Sequence, residues 1–211
     1  MYGLNNLDVK ILQRISEIGV ESNFFIEAGA NDGLAQSNTA MLEFRFGWRG
    51  ILVEPNLENA NRAKKNRPAC TVVRGALVDK DYDKETIAGT FNELSLLRAN
   101  GLMAGMNKIQ LSEYPEMICE VPVVTLSKIF KEHGCPPRPA LLSLDVEGYE
   151  LQALGGLNFE LWRPKVIVME IAEHDIPEEV ARHFKFMSDR GYVNDPSFEP
   201  GEHDFLFIDD K

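Results

Sequence analysis

The chain has 211 residues, of which 44% are hydrophobic and 26% are charged, and its formal net charge is −11 at pH 7. These values indicate one globular domain with a substantial core and exclude a disordered chain. The negative charge disfavours nucleic-acid binding, no apolar run approaches the ~20 residues of a membrane span, and no signal-peptide pattern is present, so we expect a cytoplasmic protein.

The first half of the chain alternates predicted helices with predicted strands. Apolar residues at helical spacing over Leu7–Ile18 predict a leading helix within residues 1–22. Short apolar runs predict strands that are buried on both faces: Phe24–Ala28, Gly50–Glu54 and Cys70–Val73. The segments between them predict two helices, the first with Ser37 or Asn38 as its N-cap: Gln36–Phe46 and Leu57–Lys65. Such alternation predicts βαβ units and a parallel sheet.

The second half continues the pattern. It contains two more apolar runs, each followed by a predicted helix: Ala140–Asp145 with Tyr149–Leu154, and Val166–Glu170 with Pro177–Arg190. Gly191–Val193 and Asp204–Ile208 are predicted to pair antiparallel at the sheet edge. Residues 79–120 contain no clear strand, which predicts a lid or substrate-binding insertion, with two ordinary surface helices as the alternative. The whole chain, residues 1–211, is predicted to be a single doubly wound α/β domain.

Cysteines and basic residues suggest no special chemistry. Cys70, Cys119 and Cys135 are widely spaced and odd in number, which indicates reduced thiols rather than a disulfide framework or a zinc site. One helix carries a basic cluster, for which we favour a solvated face over a binding patch: Arg62, Lys64, Lys65 and Arg67.

Acidic residues end four of the predicted strands. They are Glu27, Glu54, Asp145 and Glu170. In open parallel sheets, ligands bind beyond the carboxyl ends of the strands. Buried carboxylates cost several kcal/mol unless they are hydrogen-bonded or paired. The pattern therefore predicts a ligand that is rich in hydroxyl and amine groups.

The turn after the first strand contains Gly29 and Gly33, which allow the backbone to approach a ligand closely. Asn31 occupies the place of the second glycine in the dinucleotide fingerprint, so a ligand without phosphates fits better. Glu54 ends the next strand, where nucleoside ribose hydroxyls are commonly held. Together these residues predict a nucleoside cofactor; the alternative for Glu54 is a surface residue before Pro55.

Three motifs resemble those of the FkbM-type methyltransferases. They are Ile26–Gly33, Trp48–Pro55, and Leu144–Glu150 with Leu154 and Gly156, in the order that the family has. The resemblance implies a Rossmann-like methyltransferase sheet with a terminal antiparallel strand, and S-adenosylmethionine as the cofactor. The first strand of the family more often carries Asp before the glycine turn, but the longer Glu27 side chain should still reach.

The resemblance also implies roles for individual residues. Glu27, Gly29 and Asn31 would lie against the methionine portion of the cofactor, Glu54 would bind its ribose, and the Gly75–Ala76 turn would contact its adenine. The full set of predicted cofactor-binding residues is Glu27, Gly29, Asn31, Gly33, Ser37, Glu54, Pro55, Ala76 and Asp145.

Transfer to a hydroxyl requires a base or a metal ion that helps to remove its proton. Asp145 and Glu147 could form a divalent-metal site or hold the acceptor directly, and Glu150 lies one helical turn beyond Glu147. The alternative is that Glu147 and Glu150 only favour a helix N-terminus. His174 follows the fifth strand and is a candidate base, although a lone histidine can equally be structural.

The sequence thus predicts a methyltransferase that uses S-adenosylmethionine and acts on a hydroxyl of a small molecule or sugar, with neither nucleic acid nor membrane as partner. One alternative is an NAD(P)-dependent oxidoreductase, which the missing second glycine disfavours. The other is a non-catalytic module that binds a nucleoside cofactor, which the acidic strand ends disfavour.

Overall fold

The computed structural model describes residues 2–89, 91, 119–171, 176–198 and 203–211. Their strands are β1 (Phe24–Ala28), β2 (Arg49–Glu54), β3 (Thr71–Arg74), β4 (Ala76–Leu77), β5 (Thr86–Gly89), β6 (Cys119–Val124), β7 (Leu141–Leu144), β8 (Val166–Glu170), β9 (Tyr192–Asn194) and β10 (Asp204–Asp209). Their helices are α1 (Leu7–Ile18), which a 3-10 turn over Leu4–Asn6 precedes, α2 (Ala40–Phe46), α3 (Leu57–Asn66), α4 (Leu126–Glu132), α5 (Glu150–Gly155) and α6 (Pro177–Ser188).

The main sheet has seven strands in the order β3-β2-β1-β7-β8-β10-β9. Its first five strands are parallel, and β10 runs antiparallel to both β8 and β9. The strand order reverses between β1 and β7, which is where open α/β sheets bind ligands. A smaller sheet has the order β4-β6-β5. The predicted doubly wound sheet with a terminal antiparallel strand is therefore confirmed.

Successive side chains of the central strands enter two different hydrophobic clusters. Phe25 packs in the cluster that contains side chains of α1, α2 and α3, whereas Ile26 packs in the cluster that contains side chains of α4, α5 and α6. The sheet is thus covered on both faces, which explains why its strands read as continuous apolar runs. Burial of each large apolar side chain contributes about 1.5–3 kcal/mol, before the entropy cost of folding is subtracted.

The start of α2 differs from its prediction. The helix begins at Ala40 rather than Gln36, and Gln36 has a positive φ of 58°, which interrupts a helix. The predicted N-cap Ser37 lies outside the helix, although its Oγ accepts hydrogen bonds from the backbone N–H groups of Thr39 and Ala40. This segment binds a buried carboxylate instead of extending the helix.

Two other regions also differ. The predicted antiparallel pair forms, but β10 lies inside the sheet and only β9 is at its edge. In residues 79–120, where no clear strand was expected, β5 pairs with β6. Residues 90 and 92–118, which carry most of the predicted lid or insertion, lie outside the described residues. Cys70, Cys119 and Cys135 are free thiols, and no helix in the described part of the chain is long and apolar enough to cross a membrane.

Candidate active site

The register of the main sheet brings six residues into one row across its carboxyl edge. Glu54 pairs with Arg74, and Glu170 pairs with Asp204. Ala28 pairs with Leu144, and the next residue on each strand is Gly29 and Asp145, respectively. The Gly29 N–H donates to the backbone oxygen of Val53, and the Asp145 N–H donates to that of Ala28. The row is Arg74, Glu54, Gly29, Asp145, Glu170 and Asp204. Residues in register share one face of a sheet, and we call Glu54, Asp145, Glu170 and Asp204 the carboxylate row.

Gly29 brings the ends of β1 and β7 close together at the centre of the carboxylate row. Its φ is +80°, and a Cβ atom at this position would lie 1.8 Å from the backbone oxygen of Asp145. Glycine is therefore required both by the backbone conformation and by the close approach of the two strand ends. Because β1 and β7 flank the reversal of strand order, this junction lies at the predicted ligand position.

Glu54 joins the glycine turn to the end of β2. Its carboxylate accepts hydrogen bonds from the backbone N–H groups of Asn31 and Asn56, each at 2.8 Å. The side chain is 6% exposed, and burial raises the pKa of Glu54 to about 7. Each carboxylate oxygen can accept a further hydrogen bond, so Glu54 retains capacity for a ligand hydroxyl. The structure thus brings together Gly29, Asn31 and Glu54, three of the residues predicted to bind the cofactor.

Pro55 and Ala76 are the next residues of the predicted cofactor-binding set. Pro55, which follows Glu54, lines a cavity of about 560 Å³ together with Asn56, Arg74 and Phe91. Ala76 pairs with Val123 in the small sheet and is buried. No contact among the described residues bears on the predicted role of either residue in binding the cofactor, so both roles stay predictions.

Glu27 makes its observed contacts within the protein, and its predicted role in binding the cofactor stays a prediction. Its side chain is 4% exposed, and its carboxylate accepts hydrogen bonds from Ser37 Oγ (2.9 Å), the Asn38 N–H (2.6 Å) and Thr39 Oγ1 (2.7 Å). It also lies 3.7 Å from the guanidinium of Arg67. Glu27 and Ser37 therefore hold the segment before α2 by contacts within the protein, and these contacts are structural.

Arg67 is fully buried, so the interpretation of this residue as part of a solvated face is wrong. It follows the last residue of α3 and ion-pairs with Glu43. Its guanidinium donates to the backbone oxygen of Gly33 at 2.9 Å and to Ser37 Oγ at 3.1 Å. Gly33, which is predicted to bind the cofactor, packs closely against the Arg67 side chain. A Cβ atom at Gly33 would lie 2.8 Å from Arg67 Cγ.

The other half of the carboxylate row contains several acidic groups close together. The pKa of Asp145 is well above its usual range because of burial and the neighbouring carboxylates of Glu170 and Glu147. Glu150 is 1% exposed; its Oε1 accepts hydrogen bonds from two backbone N–H groups, and its Oε2 has no partner among the described residues. Burial raises the pKa of Glu150 to about 8 and that of Asp204 to about 6.

The sequence analysis found part of this cluster. It identified Asp145 and Glu147, and the structure places Glu147 in the turn after β7 with a positive φ of 58°. Glu170 was noted as a strand end but not assigned, and Asp204 was missed because strand register is not visible in a single sequence. His174 lies outside the described residues. Within the described ranges, no group of three or more His, Cys, Asp and Glu side chains is arranged to hold a metal ion.

We expect the free energy of unfolding of the ligand-free protein to fall as the pH rises from about 5 to about 8. The pKa values of Glu54 and Glu150 rise on folding from 4.5 to about 7 and about 8. The folded protein therefore binds more protons than the unfolded chain in this range, and each such proton changes the stability by about 1.4 kcal/mol per pH unit.

Urea unfolding at several pH values measures this dependence. Burial lowers the pKa of His183, which opposes the trend near its usual titration range. The variant Glu150→Gln isolates the carboxylate effect, because it removes one titrating group and should flatten the curve. An unchanged slope in this variant would show that Glu150 is ionised in the folded protein.

Residues 27–193 match the model of the methyltransferase FkbM domain. No curated protein matches the sequence. A TehB-like S-adenosylmethionine-dependent methyltransferase from Corynebacterium glutamicum is similar in structure, with a TM-score of 0.48, 11% identity and coverage of 95% of this chain and 87% of that one. An O-methyltransferase from Bacillus cereus has a TM-score of 0.45, 12% identity and coverage of 98% and 83%. A putative RNA methyltransferase from Pyrococcus horikoshii has a TM-score of 0.48, 12% identity and coverage of 97% and 83%.

Proposed function

Because the chain belongs to the FkbM methyltransferase family, we propose that it transfers a methyl group from S-adenosylmethionine to a hydroxyl group of a small molecule or sugar. The observation that carries the proposal is the carboxylate row, which is interrupted by Gly29 at the reversal of strand order. The net charge of −11 favours a small acceptor over a nucleic acid.

The residues around Gly29 fit a nucleoside sulfonium better than a dinucleotide. Gly29 places no side chain at the junction of β1 and β7, and Asn31 stands where a pyrophosphate-binding glycine would be needed. Glu54 provides carboxyl oxygens for two ribose hydroxyls. Asp145, on the other side of Gly29, provides a carboxyl group whose ionised form a bound cation would favour.

The bound cofactor supplies a methyl group on a positively charged sulfur, which is reactive without further activation. The protein therefore has to align the acceptor with that methyl group and to receive the proton that the acceptor loses. Asp145 and Glu147 are the carboxylates that we propose for the acceptor side, and His174 remains a candidate base.

Replacement of Glu54 by Ala tests the cofactor site. We expect Glu54→Ala to weaken binding of S-adenosylhomocysteine by roughly 1.5–3 kcal/mol, which corresponds to about 10- to 150-fold in Kd, because the ribose hydroxyls lose a charged acceptor. Isothermal titration calorimetry with the purified protein measures this change directly.

Glu21→Ala is the matched control. Glu21 is exposed and precedes β1, at the edge of the sheet opposite to the carboxylate row, so its loss should leave Kd unchanged. An unaltered Kd in Glu54→Ala would place Glu54 outside the site. Binding of NADH instead of S-adenosylhomocysteine by the parent protein would overturn the proposed function itself.

A further inference from the structure

We propose that the acceptor carries a protonated amine, which Glu170 and Asp204 bind beside the methyl group that is transferred. This inference rests on the proposed function and names the class of acceptor. Glu170 and Asp204 lie in register on adjacent strands, and the hydrogen-bonded neighbour of Glu170 on its other side is Asp145.

The position of this pair separates it from the proposed cofactor residues. Glu54 and Asn31 lie on one side of Gly29, whereas Glu170 and Asp204 lie beyond Asp145 on the other. All these strand ends meet at the same edge of the sheet. A nucleoside that is bound through Glu54 therefore leaves the Glu170 and Asp204 carboxylates for the second substrate.

Among the described residues, carboxyl groups outnumber basic groups in this part of the row. Besides burial, the largest effects on the pKa of Asp145 all come from other carboxylates, which are Glu170, Glu147 and Glu150. At the far end, Lys10 of α1 lowers the pKa of Asp204, while Glu170 raises it. Carboxyl groups that repel one another in this way hold protons near neutral pH, and a cationic group of the acceptor would favour their ionised form.

Glu150 provides a second, independent observation. It is 1% exposed, its Oε2 atom has no hydrogen-bond partner among the described residues, and it interacts electrostatically with Asp145 and Glu170. A buried carboxyl oxygen without a partner is costly. A cationic donor bound within this group of carboxyls would reduce that cost.

An ammonium group meets both requirements. It presents three N–H donors and a compact positive charge, and its hydrogen bonds to carboxylates are of the strong, charge-assisted kind. A neutral sugar hydroxyl would donate a hydrogen bond to these carboxyl groups but would not stabilise their ionised form. A divalent metal ion is less suited, because no group of three or more metal-binding side chains is formed by the residues that the structure describes.

The amine then serves as an anchor, and a nearby hydroxyl of the same molecule is methylated. The hydroxyl oxygen forms the new bond to the methyl carbon, the carbon–sulfur bond breaks with its electron pair left on sulfur, and the hydroxyl proton passes to the Asp145–Glu170 carboxylate pair. No further reactant is required for this step.

Paired probes test the inference. Glucosamine and ethanolamine are titrated into protein saturated with S-adenosylhomocysteine at pH 7, and each is compared with its N-acetyl form, which lacks the charge. We expect each amine to bind at least tenfold more tightly than its N-acetyl form. Glu170→Gln and Asp204→Asn should remove most of that preference while Kd for S-adenosylhomocysteine stays unchanged.

The same variants report on folding. Both substitutions reduce repulsion between half-buried carboxylates, so their Tm values should be equal to or above that of the parent, whereas Asp210→Asn, an exposed neighbour of β10, should change neither Tm nor probe binding. Equal binding of the amines and their N-acetyl forms would overturn the proposal that the acceptor carries a protonated amine. Methyl transfer that a chelator abolishes and Mg²⁺ restores would also overturn it. Failure of S-adenosylhomocysteine to bind would instead overturn the proposed function.

Discussion

The variant Arg67→Met is expected to lose about 3–5 kcal/mol of unfolding free energy, because it leaves two buried carboxylates without their counter-charge. Arg67 ion-pairs with Glu43 and lies 3.7 Å from Glu27, and burial raises the pKa of Glu27 while Arg67 acts in the opposite direction. The variant also loses the hydrogen bonds to Gly33 and Ser37. The total free energy of unfolding of a domain is roughly 5–15 kcal/mol, so this loss would be severe.

Urea unfolding of Arg67→Met beside Lys64→Met provides the measurement. Lys64 is an exposed residue of α3, and its replacement by the same residue should change stability by no more than about 0.5 kcal/mol. Adding Glu43→Gln to Arg67→Met should restore part of the loss, because it removes one uncompensated charge. Similar stabilities for the two single variants would show that the buried network contributes little.

The variant Gly29→Ala is expected to abolish detectable binding of S-adenosylhomocysteine and to destabilise the fold. A Cβ atom 1.8 Å from the backbone oxygen of Asp145 forces the ends of β1 and β7 apart. The positive φ of 80° adds a conformational cost of about 1–2 kcal/mol for alanine. Because this junction lies at the centre of the carboxylate row, the geometry of the row changes together with the fold.

Gly19→Ala separates the two effects. Gly19 ends α1 with a φ of +71°, and a Cβ atom there would meet nothing within 4 Å. Its replacement should therefore show the conformational cost alone and leave Kd for S-adenosylhomocysteine unchanged. If both variants lost the same unfolding free energy and bound the ligand normally, the close approach of Gly29 to Asp145 would not matter.

The strands of the main sheet could be predicted from the sequence, because strands that are buried on both faces have no alternation to obscure their ends. β1 and β8 have the predicted bounds, Phe24–Ala28 and Val166–Glu170. The short strand β5 was missed because its residues alternate between exposed and buried in a polar segment. Local sequence predicts an element best when its burial is uniform.

The roles of Glu27 and Glu54 show what the sequence could not reveal. Both are acidic residues near the end of an apolar strand, but Glu27 pairs with Leu52, two residues before Glu54, and so lies below the carboxylate row. There it meets Ser37 and Thr39, whereas Glu54 reaches the edge of the sheet. The difference depends on strand register, which arises from long-range packing.

Arg67 was misassigned for a related reason. It belongs to a basic run, and Arg62, Lys64 and Lys65 of that run are exposed as expected. Arg67 comes after the end of α3, where the chain turns and no longer follows the helical periodicity. Its side chain can therefore point inward, towards carboxylates that are distant in sequence. A charge count along the helix does not contain this information.

The position of β10 between β8 and β9 has a consequence for the order of folding. β9 occupies the sheet edge and is joined to the other strands through β10, although it precedes β10 in the chain. During synthesis, the edge of the apolar strand β8 therefore stays unpaired until residues 204–209 have left the ribosome. An open strand edge of this kind can pair with other chains. We therefore expect the β9–β10 hairpin to dock late in folding, because its contact with β8 joins distant segments, and we expect the nascent chain to be prone to aggregation until that contact forms.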